Sequence, residues 1–494
     1  MGLLTDLDRL REEVAKATPA KRKSELGQFM TPSVIAEFMA AMFAPLNGKK
    51  IRLVDAGAGI GSLTAAFAER AVLDGANSLE CEAWELDSKL AGPLRATLDA
   101  CGLHAQSTGT RYSDSIKAAD FIEAHSDLFG PSKMTCPTHA ILNPPYKKIS
   151  SDSRHRQALR AVGLETSNLY SAFVALALMS LEDGGELVAI TPRSFCNGTY
   201  FRPFRRFMFS IAALSKIHLF ESRTHAFKGD DVLQENVIFH LVKGGHQGTV
   251  ELSVSDDATF RHLERRTVPF KEIVSPSDPH MVLHLAPKTV DGTIEKLMTV
   301  YNHSLVALDL AVATGPVVDF RLKPQLRPTV EDGTAPLIYA QHFEQGRVVH
   351  PKLTSKKPNG IYIDDESRRW LMPSGHYVLT RRLSSKEERR RIVPAIFDPS
   401  TVRGELIGFE NHLNVFHHKK RGLEPLIAKG LAVYLGSTFA DHWLRRFSGH
   451  TQVNAGDLRA LSYPDLPTLR EWGGGVGDFL PSQEEIDALV DGHL

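Results

Sequence analysis

Cysteine is scarce in this chain: four in 494 residues, Cys81, Cys101, Cys136 and Cys196, with no Cys-x-x-Cys pair. That spacing excludes a disulfide scaffold and a structural zinc cluster, and no metal is expected. Long apolar runs are also missing. The longest, around Ala172 to Leu181, is too short to cross a bilayer. Met1-Gly2-Leu3-Leu4-Thr5-Asp6 opens a charged amphipathic stretch and lacks the pattern of a secretory leader. A reduced, cytoplasmic protein with no membrane partner is expected. Net charge is absent too, because 58 basic residues balance 58 acidic ones. A polycation is thereby excluded, and any surface for nucleic acid has to be local.

What is present is an ordinary globular composition, 42% hydrophobic and 23% charged, over a length sufficient for two or three domains. Residues 5–23 carry helical spacing (Leu7, Leu10, Val14). A second helix is expected over Ser33 to Phe43, with Thr31 or Ser33 as its N-cap. From Ile51 to about Lys243, strands and helices alternate. The expected strands are Ile51–Asp55, Leu79–Glu85, Ala140–Asn143, Glu186–Thr191, Ile217–Phe220 and Val237–Val242, with helices Leu63–Leu73, Ser88–Ala100, Tyr170–Leu181 and Phe201–Phe209 between them. This rhythm predicts a doubly wound α/β sheet. After Gly244-Gly245-His246-Gln247-Gly248 the texture changes to shorter strands with more Pro, His and Arg. A domain boundary is expected there, dividing the chain into 1–248 and 249–494.

Two segments carry chemistry. The run Ala140-Ile141-Leu142 leads into Asn143-Pro144-Pro145-Tyr146. The prolines hold the backbone extended and remove two N–H donors. What remains at the strand's carboxyl edge is a set of acceptors, the Asn143 side-chain oxygen and the Pro144 carbonyl, with a flat ring nearby. Such a pocket suits a planar substrate that presents an amino group. The second segment is the strand Ile51–Asp55 running into Ala56-Gly57-Ala58-Gly59-Ile60-Gly61. Its glycines permit a tight turn and close backbone approach to a ligand. Glu85, 24 residues beyond Gly61, is placed to accept ribose hydroxyls. The turn lacks the Gly-x-Gly-x-x-Gly register, and Asp55 would repel a pyrophosphate while suiting a cationic amino-acid moiety. Those features favour S-adenosylmethionine over a dinucleotide.

Taken in order, Gly27-Gln28-Phe29-Met30-Thr31-Pro32, Asp55 to Gly61 and Asn143 to Tyr146 resemble the γ-class of N6-adenine DNA methyltransferases, the Taq-type enzymes of restriction–modification systems. The resemblance extends through Asn168–Phe173 and Ile190–Phe195 to Phe227-Lys228. The far C-terminal Gly449-His450-Thr451-Gln452-Val453-Asn454 with Asp457-Leu458-Arg459 is similar to Pst-type methylases. The resemblance implies a seven-stranded, mostly parallel methyltransferase sheet in residues 1–248. Residues 1–45 would supply N-terminal helices and a segment closing over the cofactor, and a mixed α+β target-recognition domain would follow in 249–494. It also implies roles. Gln28, Thr31 and Pro32 would lie near the cofactor's methionine, Asp55, Gly57 and Gly59 near its amino-acid end, and Glu85 at its ribose. Asp120 with Phe121, preferred over Asp114 because an apolar residue follows the Phe, would receive the cofactor's adenine amino group. Phe227 would stack on the substrate base with Tyr146.

The implied reaction is direct methyl transfer to N6 of a flipped-out adenine. Asn143 and Pro144 would accept the amine hydrogens, so no cysteine nucleophile is needed. Neither Cys136 nor Cys196 follows a proline as a cytosine-type nucleophile would, and both are read as packing. Double-stranded DNA is the expected partner. Lys147, Lys148, Arg202, Arg205, Arg206, Arg381, Arg382, Arg389 and Arg391 are candidate phosphate contacts, and His450, Gln452 and Asn454 are candidate base contacts. Pro-Asp…Asp/Glu-x-Lys is absent, which assigns cleavage to a separate restriction endonuclease. The same Asn-Pro-Pro-Tyr also serves glutamine-directed protein methyltransferases and RNA base methyltransferases, because a side-chain amide presents the same N–H₂. The Gly27–Pro32 segment and the long C-terminal half favour DNA. A non-catalytic specificity subunit is disfavoured by the intact Asp55, Glu85 and Asn143–Tyr146.

Overall fold

The computed structural model describes residues 3–17, 30–126, 136–197, 199–220, 236–276, 278, 280–285, 300–354, 356–384, 388–447, 452–477 and 479–492. It comprises two compact units, Met1–Pro287 and Lys288–Leu494.

In the first unit, nine strands form one sheet: β1 (Lys50–Ala56), β2 (Ser78–Trp84), β3 (Arg111–Lys117), β4 (His139–Leu142), β5 (Glu186–Pro192), β6 (Ala212–Phe220), β7 (Asn236–Lys243), β8 (Thr249–Ser255) and β9 (Leu263–Pro269). Their order is β3-β2-β1-β4-β5-β7-β6-β8-β9. The run from β3 through β5 is parallel, β7 is antiparallel to both of its neighbours, and β8 runs parallel to β6 and antiparallel to β9.

Two expectations change here. The sheet has nine strands where seven were expected, and the texture break at Gly244–Gly248 falls inside this unit. Gly244, at φ +68°, turns the chain out of β7. β8 then returns to pair with β6 and buries Val250, Leu252 and Val254. The break therefore marks the end of βα alternation and not the end of the sheet. β3 was not foreseen. Arg111–Lys117 offers only Tyr112 and Ile116 as apolar residues because it is an edge strand, half exposed along its length.

Period-two alternation sends successive side chains of the central strands to opposite faces. Ile51, Leu53, Ile141, Val188 and Ile190 pack with the helices Leu3–Ala17, Ser33–Ala41 and Ser62–Leu73. Val54, Ala140, Leu142, Leu187 and Ala189 pack against the helices Leu169–Ser180 and Arg202–Ile211. Burial on both faces explains why these strands read as continuous apolar runs.

The second unit is α+β. A six-stranded sheet is built around Leu413–His417, Tyr377–Arg381 and Pro394–Phe397, and a five-stranded one around Thr334–Ile338 and Leu406–Phe409. Its helix Pro425–Gly436 meets Leu466–Gly474 at paired glycines. A Cβ at Gly430 would lie 1.8 Å from the Leu469 carbonyl oxygen, and one at Gly473 would lie 2.0 Å from that of Leu426.

Candidate active site

β4 lies beside β1 at the middle of the parallel run, and its carboxyl end delivers Asn143 to a cavity of about 210 Å³. Open α/β sheets bind ligands at this edge, outside the carboxyl ends of their strands. Thr31, Gly57, Gly59, Glu85, Asp120, Phe121 and Asn143 all line the cavity. Sequence separations of up to 112 residues thus collapse into one pocket.

The β1 turn takes the conformation its glycines permit. Gly57, Gly59 and Gly61 all have positive φ, between +59° and +88°. A Cβ on Gly59 would project into open space, and one on Gly61 would meet Thr97 at 3.0 Å. Glu85 closes the turn from the end of β2. Its Oε2 accepts from the Gly59 N–H at 2.8 Å and its Oε1 from the Asp87 N–H at 2.7 Å. Burial raises its pKa, against the pull of those N–H groups. Asp55 sits behind the turn, 1% exposed and not among the cavity walls. Its Oδ2 accepts from the Thr64 hydroxyl at 2.7 Å, while Oδ1 has no partner among the described residues. Burial pushes its pKa up to about 7, with the Thr64 bonds opposing.

Asp120 caps the helix Phe121–Ser126. Its Oδ1 accepts from the N–H groups of Ile122 and Glu123 at 2.9 and 3.0 Å, and its Oδ2 meets His155 Nε2 at 2.9 Å. Burial works against ionisation, but the His155 and N–H bonds outweigh it and hold Asp120 below the usual carboxylate range. Phe121 is buried edge-on to Trp84 at 5.5 Å. Asp114 faces elsewhere, paired with Arg95 through two bonds of 2.6 and 2.9 Å. Pro32, not Thr31 or Ser33, holds the N-cap position of Ser33–Ala41. Proline has no side chain to cap with, so Asp8 takes over, bonding both the Ser33 N–H and the Ser33 hydroxyl.

In the loop after β4, Asn143 Nδ2 donates to Thr31 Oγ1 at 2.9 Å, and the Tyr146 hydroxyl donates to Asn143 Oδ1 at 3.1 Å. Pro144 is buried and Pro145 half-buried. The Tyr146 ring meets Tyr170 edge-on, with centroids 6.3 Å apart. Leu169 N–H donates to the Lys147 carbonyl at 2.8 Å and Ile149 N–H to that of Ser167 at 2.7 Å, tying the loop to the start of the helix Leu169–Ser180. Lys147 and Lys148 are exposed. Gln28 and Phe227, as well as His450 and Thr451, lie outside the described residues.

Several basic residues read as surface contacts are structural. Arg205 is fully buried and bonds the carbonyls of Phe195 and His280, while Arg202 is half-buried. Arg391 is fully buried beside Asp441, where its N–H donates at 2.7 Å. Arg381 pairs with Glu388 at 2.5 Å. Arg382 gathers Gln452 Oε1 and Asn454 Oδ1 at 3.2 and 3.1 Å, so three candidate contacts of the second unit form one cluster. Cys196 is buried as expected, but Cys136 is exposed, because it precedes β4 and does not enter the core. His155, Trp84 and Phe173 line the cavity and were not singled out from the sequence. For His155 the available signal was Ser153, which caps the helix Arg154–Ala161.

The match to known proteins follows the same residues. The Eco57I restriction-modification methylase family model matches residues 140–227, from β4 and its loop onward. Type II methyltransferase M.BsuBI of Bacillus subtilis is 45% identical over 483 residues, 95% of this chain and 94% of that protein. Type II methyltransferase M.PstI of Providencia stuartii is 41% identical over 495 residues, 99% of this chain and 96% of that protein. Among solved structures, the type IIL restriction-modification enzyme MmeI in complex with DNA aligns with a TM-score of 0.54 at 12% identity, covering 93% of this chain and 71% of that one. The DrdV–DNA complex aligns at 0.52 and 14%, covering 95% and 59%. At those identities the structures speak for the fold alone. The two relatives match this chain over nearly its whole length, and the chain belongs to the type II DNA methyltransferases of restriction–modification systems.

Proposed function

We propose that this enzyme transfers a methyl group from S-adenosylmethionine to N6 of an adenine flipped out of a short duplex site, and so protects DNA from a separate restriction endonuclease. The observation that carries the reading is the placement of Asn143, at the carboxyl end of β4, on the wall of a cavity that also carries the carboxylates Glu85, Asp87 and Asp120. Carboxylates are acceptor-only when ionised. Glu85, Asp87 and Asp120 therefore suit a ligand rich in donors, such as ribose hydroxyls and an aromatic amine. The positive-φ turn leaves open space at Gly59, and the buried Asp55, with its Oδ1 unpartnered among the described residues, lies behind it. These features fit S-adenosylmethionine. Glu85 would hold its ribose, Asp120 and Phe121 its adenine, and Asp55, Gly57 and Thr31 would lie toward its amino-acid end.

The bound cofactor supplies an electrophilic methyl group. The chain's own task is to make a poor nucleophile competent, since the N6 lone pair of adenine is delocalised into its ring. Asn143 Oδ1 and the Pro144 carbonyl accept the two amine hydrogens and favour pyramidal nitrogen in the transition state. An amide oxygen can accept two bonds, so the Tyr146 hydroxyl and the substrate amine share it. Tyr146 and Phe227 offset part of the cost of unstacking the base, at roughly 1–3 kcal/mol per stacked ring. Lys147 and Lys148 flank the loop for phosphate contact, and the Arg382–Gln452–Asn454 cluster contributes to reading the site.

Tritiated cofactor offered with duplex DNA, RNA and protein tests the reading. Label is expected in DNA alone, as N6-methyladenine within one sequence context. Label in protein or RNA, or in a cytosine, overturns it.

A further inference from the structure

His155 occupies a position in the cavity that the methyl-transfer reading leaves without a task. It lies on the helix Arg154–Ala161, lines the cavity and meets Asp120 Oδ2 at 2.9 Å. The other oxygen of Asp120 is already engaged by two helix N–H groups, those of Ile122 and Glu123. A ligand amine reaching this carboxylate therefore has to share the Oδ2 edge with His155. Phe121 and Trp84, which also line the cavity, supply flat apolar surface beside that edge. The site is built for an aromatic ring bearing an amine.

We propose that His155 is a positioning residue of the cofactor subsite: it fixes the Oδ2 edge of Asp120 and, by its own charge, sets how strongly that edge accepts the cofactor's amine. The inference rests on the reading of S-adenosylmethionine as cofactor. With a cationic imidazole, Asp120 is half of an ion pair and a weaker acceptor, and the positive charge opposes a sulfonium ligand. A neutral imidazole can still donate from Nε2 and keep the geometry, while Asp120 retains its full charge. Cofactor binding therefore favours neutral His155, becomes tighter as pH rises and releases protons. The other groups around His155 are Glu123 on the helix Phe121–Ser126, Lys147 on the loop after β4, and Arg154 and Arg156, its neighbours on its own helix. Of the charged ones, Glu123 favours the cation and Lys147 opposes it. The bond to Asp120 is the main cause that raises the His155 pKa above its ordinary value.

The test is calorimetry of S-adenosylmethionine binding to the full chain, from about pH 6 to about pH 8.5, for wild type and His155→Gln. Gln keeps an N–H donor and removes the titration. Wild type is expected to bind about three- to tenfold more tightly at the upper end. The variant is expected to lose that change together with its proton release. The amine of the cofactor titrates alike in both proteins, so the difference between the profiles belongs to His155. Superimposable profiles overturn the proposal, and so does a variant that loses affinity equally at every pH. If Gln unfolds the protein, His155→Asn is measured in the same way, with thermal melting as the control. Failure of wild type to bind the cofactor at any pH would instead defeat the methyl-transfer reading itself.

Discussion

Asn143 donates from Nδ2 to the hydroxyl of Thr31, 2.9 Å away and 112 residues earlier in the chain. That bond sets which way the amide faces. With the nitrogen committed to Thr31, the oxygen points to the Tyr146 hydroxyl, which leaves it the acceptor that the proposed reaction uses. Thr31 is 4% exposed and precedes the helix Ser33–Ala41, which Asp8 caps from the helix Leu3–Ala17. Thr31→Val is therefore expected to lower kcat about tenfold or more by freeing the amide to flip, whereas Thr31→Ser keeps the acceptor and most of the rate. Single-turnover kinetics would show it, and equal rates for the two variants would remove Thr31 from this role.

Asn143→Ala is expected to abolish methyl transfer while leaving cofactor affinity within a small factor. Loss of a preorganised transition-state hydrogen bond costs roughly a hundred- to a thousandfold. Retention of more than about a tenth of wild-type turnover would be too much for the proposed role.

Glu85 is expected to act on affinity. Its carboxylate both closes the β1 turn through Gly59 N–H and faces the cavity. Glu85→Ala is predicted to weaken cofactor binding by about 2–3 kcal/mol, with Glu85→Gln intermediate because one acceptor oxygen survives. Unchanged calorimetric affinity would move the ribose contact to Asp87.

Stability is expected to fall on acidification below about pH 6.5, because of histidines buried in the sheet: His139 at the amino end of β4, beside Glu186 of β5, and His218 within β6. Burial depresses His139 to about 4 and His218 to about 3, so each is neutral in the fold where the unfolded chain would already bind a proton. Unfolding then takes up protons, and stability drops from the unfolded histidine pKa down to the folded ones. His139 alone represents roughly 3 kcal/mol. Burial disfavours the charge on Glu186, but the bonds from His240 and the Ala44 N–H outweigh it and depress the group to about 2. Its contribution is present above the ordinary carboxylate pKa and is lost from there down toward pH 2. Denaturant midpoints measured between about pH 7 and about pH 4 should decline, and His139→Phe should flatten the upper part of the slope. A midpoint independent of pH would contradict the burial argument.

Exchange of residues 288–494 for the same unit of a relative is expected to redirect the methylated site without changing the methylated atom. The cavity and the Asn143–Tyr146 loop lie wholly in Met1–Pro287. Sequencing for modified bases in cells that express the hybrid would decide it, and an unchanged site would place recognition in the first unit.

The central parallel strands and Thr31, Glu85, Asp120 and Asn143 of the pocket were legible in the sequence because both obey short-range rules. Doubly buried strands read as apolar runs, and a strand ending in Asn-Pro-Pro-Tyr or Asp-Ala-Gly declares its carboxyl edge within a few residues. Strand β3 was not legible, since an edge strand needs little apolar surface. The end of the first unit was hidden because a strand that pairs with a distant partner looks like any other short strand.

The sequence by itself determined the groups that the proposed chemistry uses: Asn143 and Pro144 with their oxygens, Glu85 and Asp120 with their carboxyls, and the glycines of the β1 turn. Tertiary structure decided which of these groups are already engaged. It set Thr31 against Asn143 and His155 against Asp120, and it buried Arg205 and Arg391, which looked like surface cations. The physical reason is that hydrogen bonds and burial depend on distances of a few ångströms between residues far apart in the chain, and no local pattern encodes those distances.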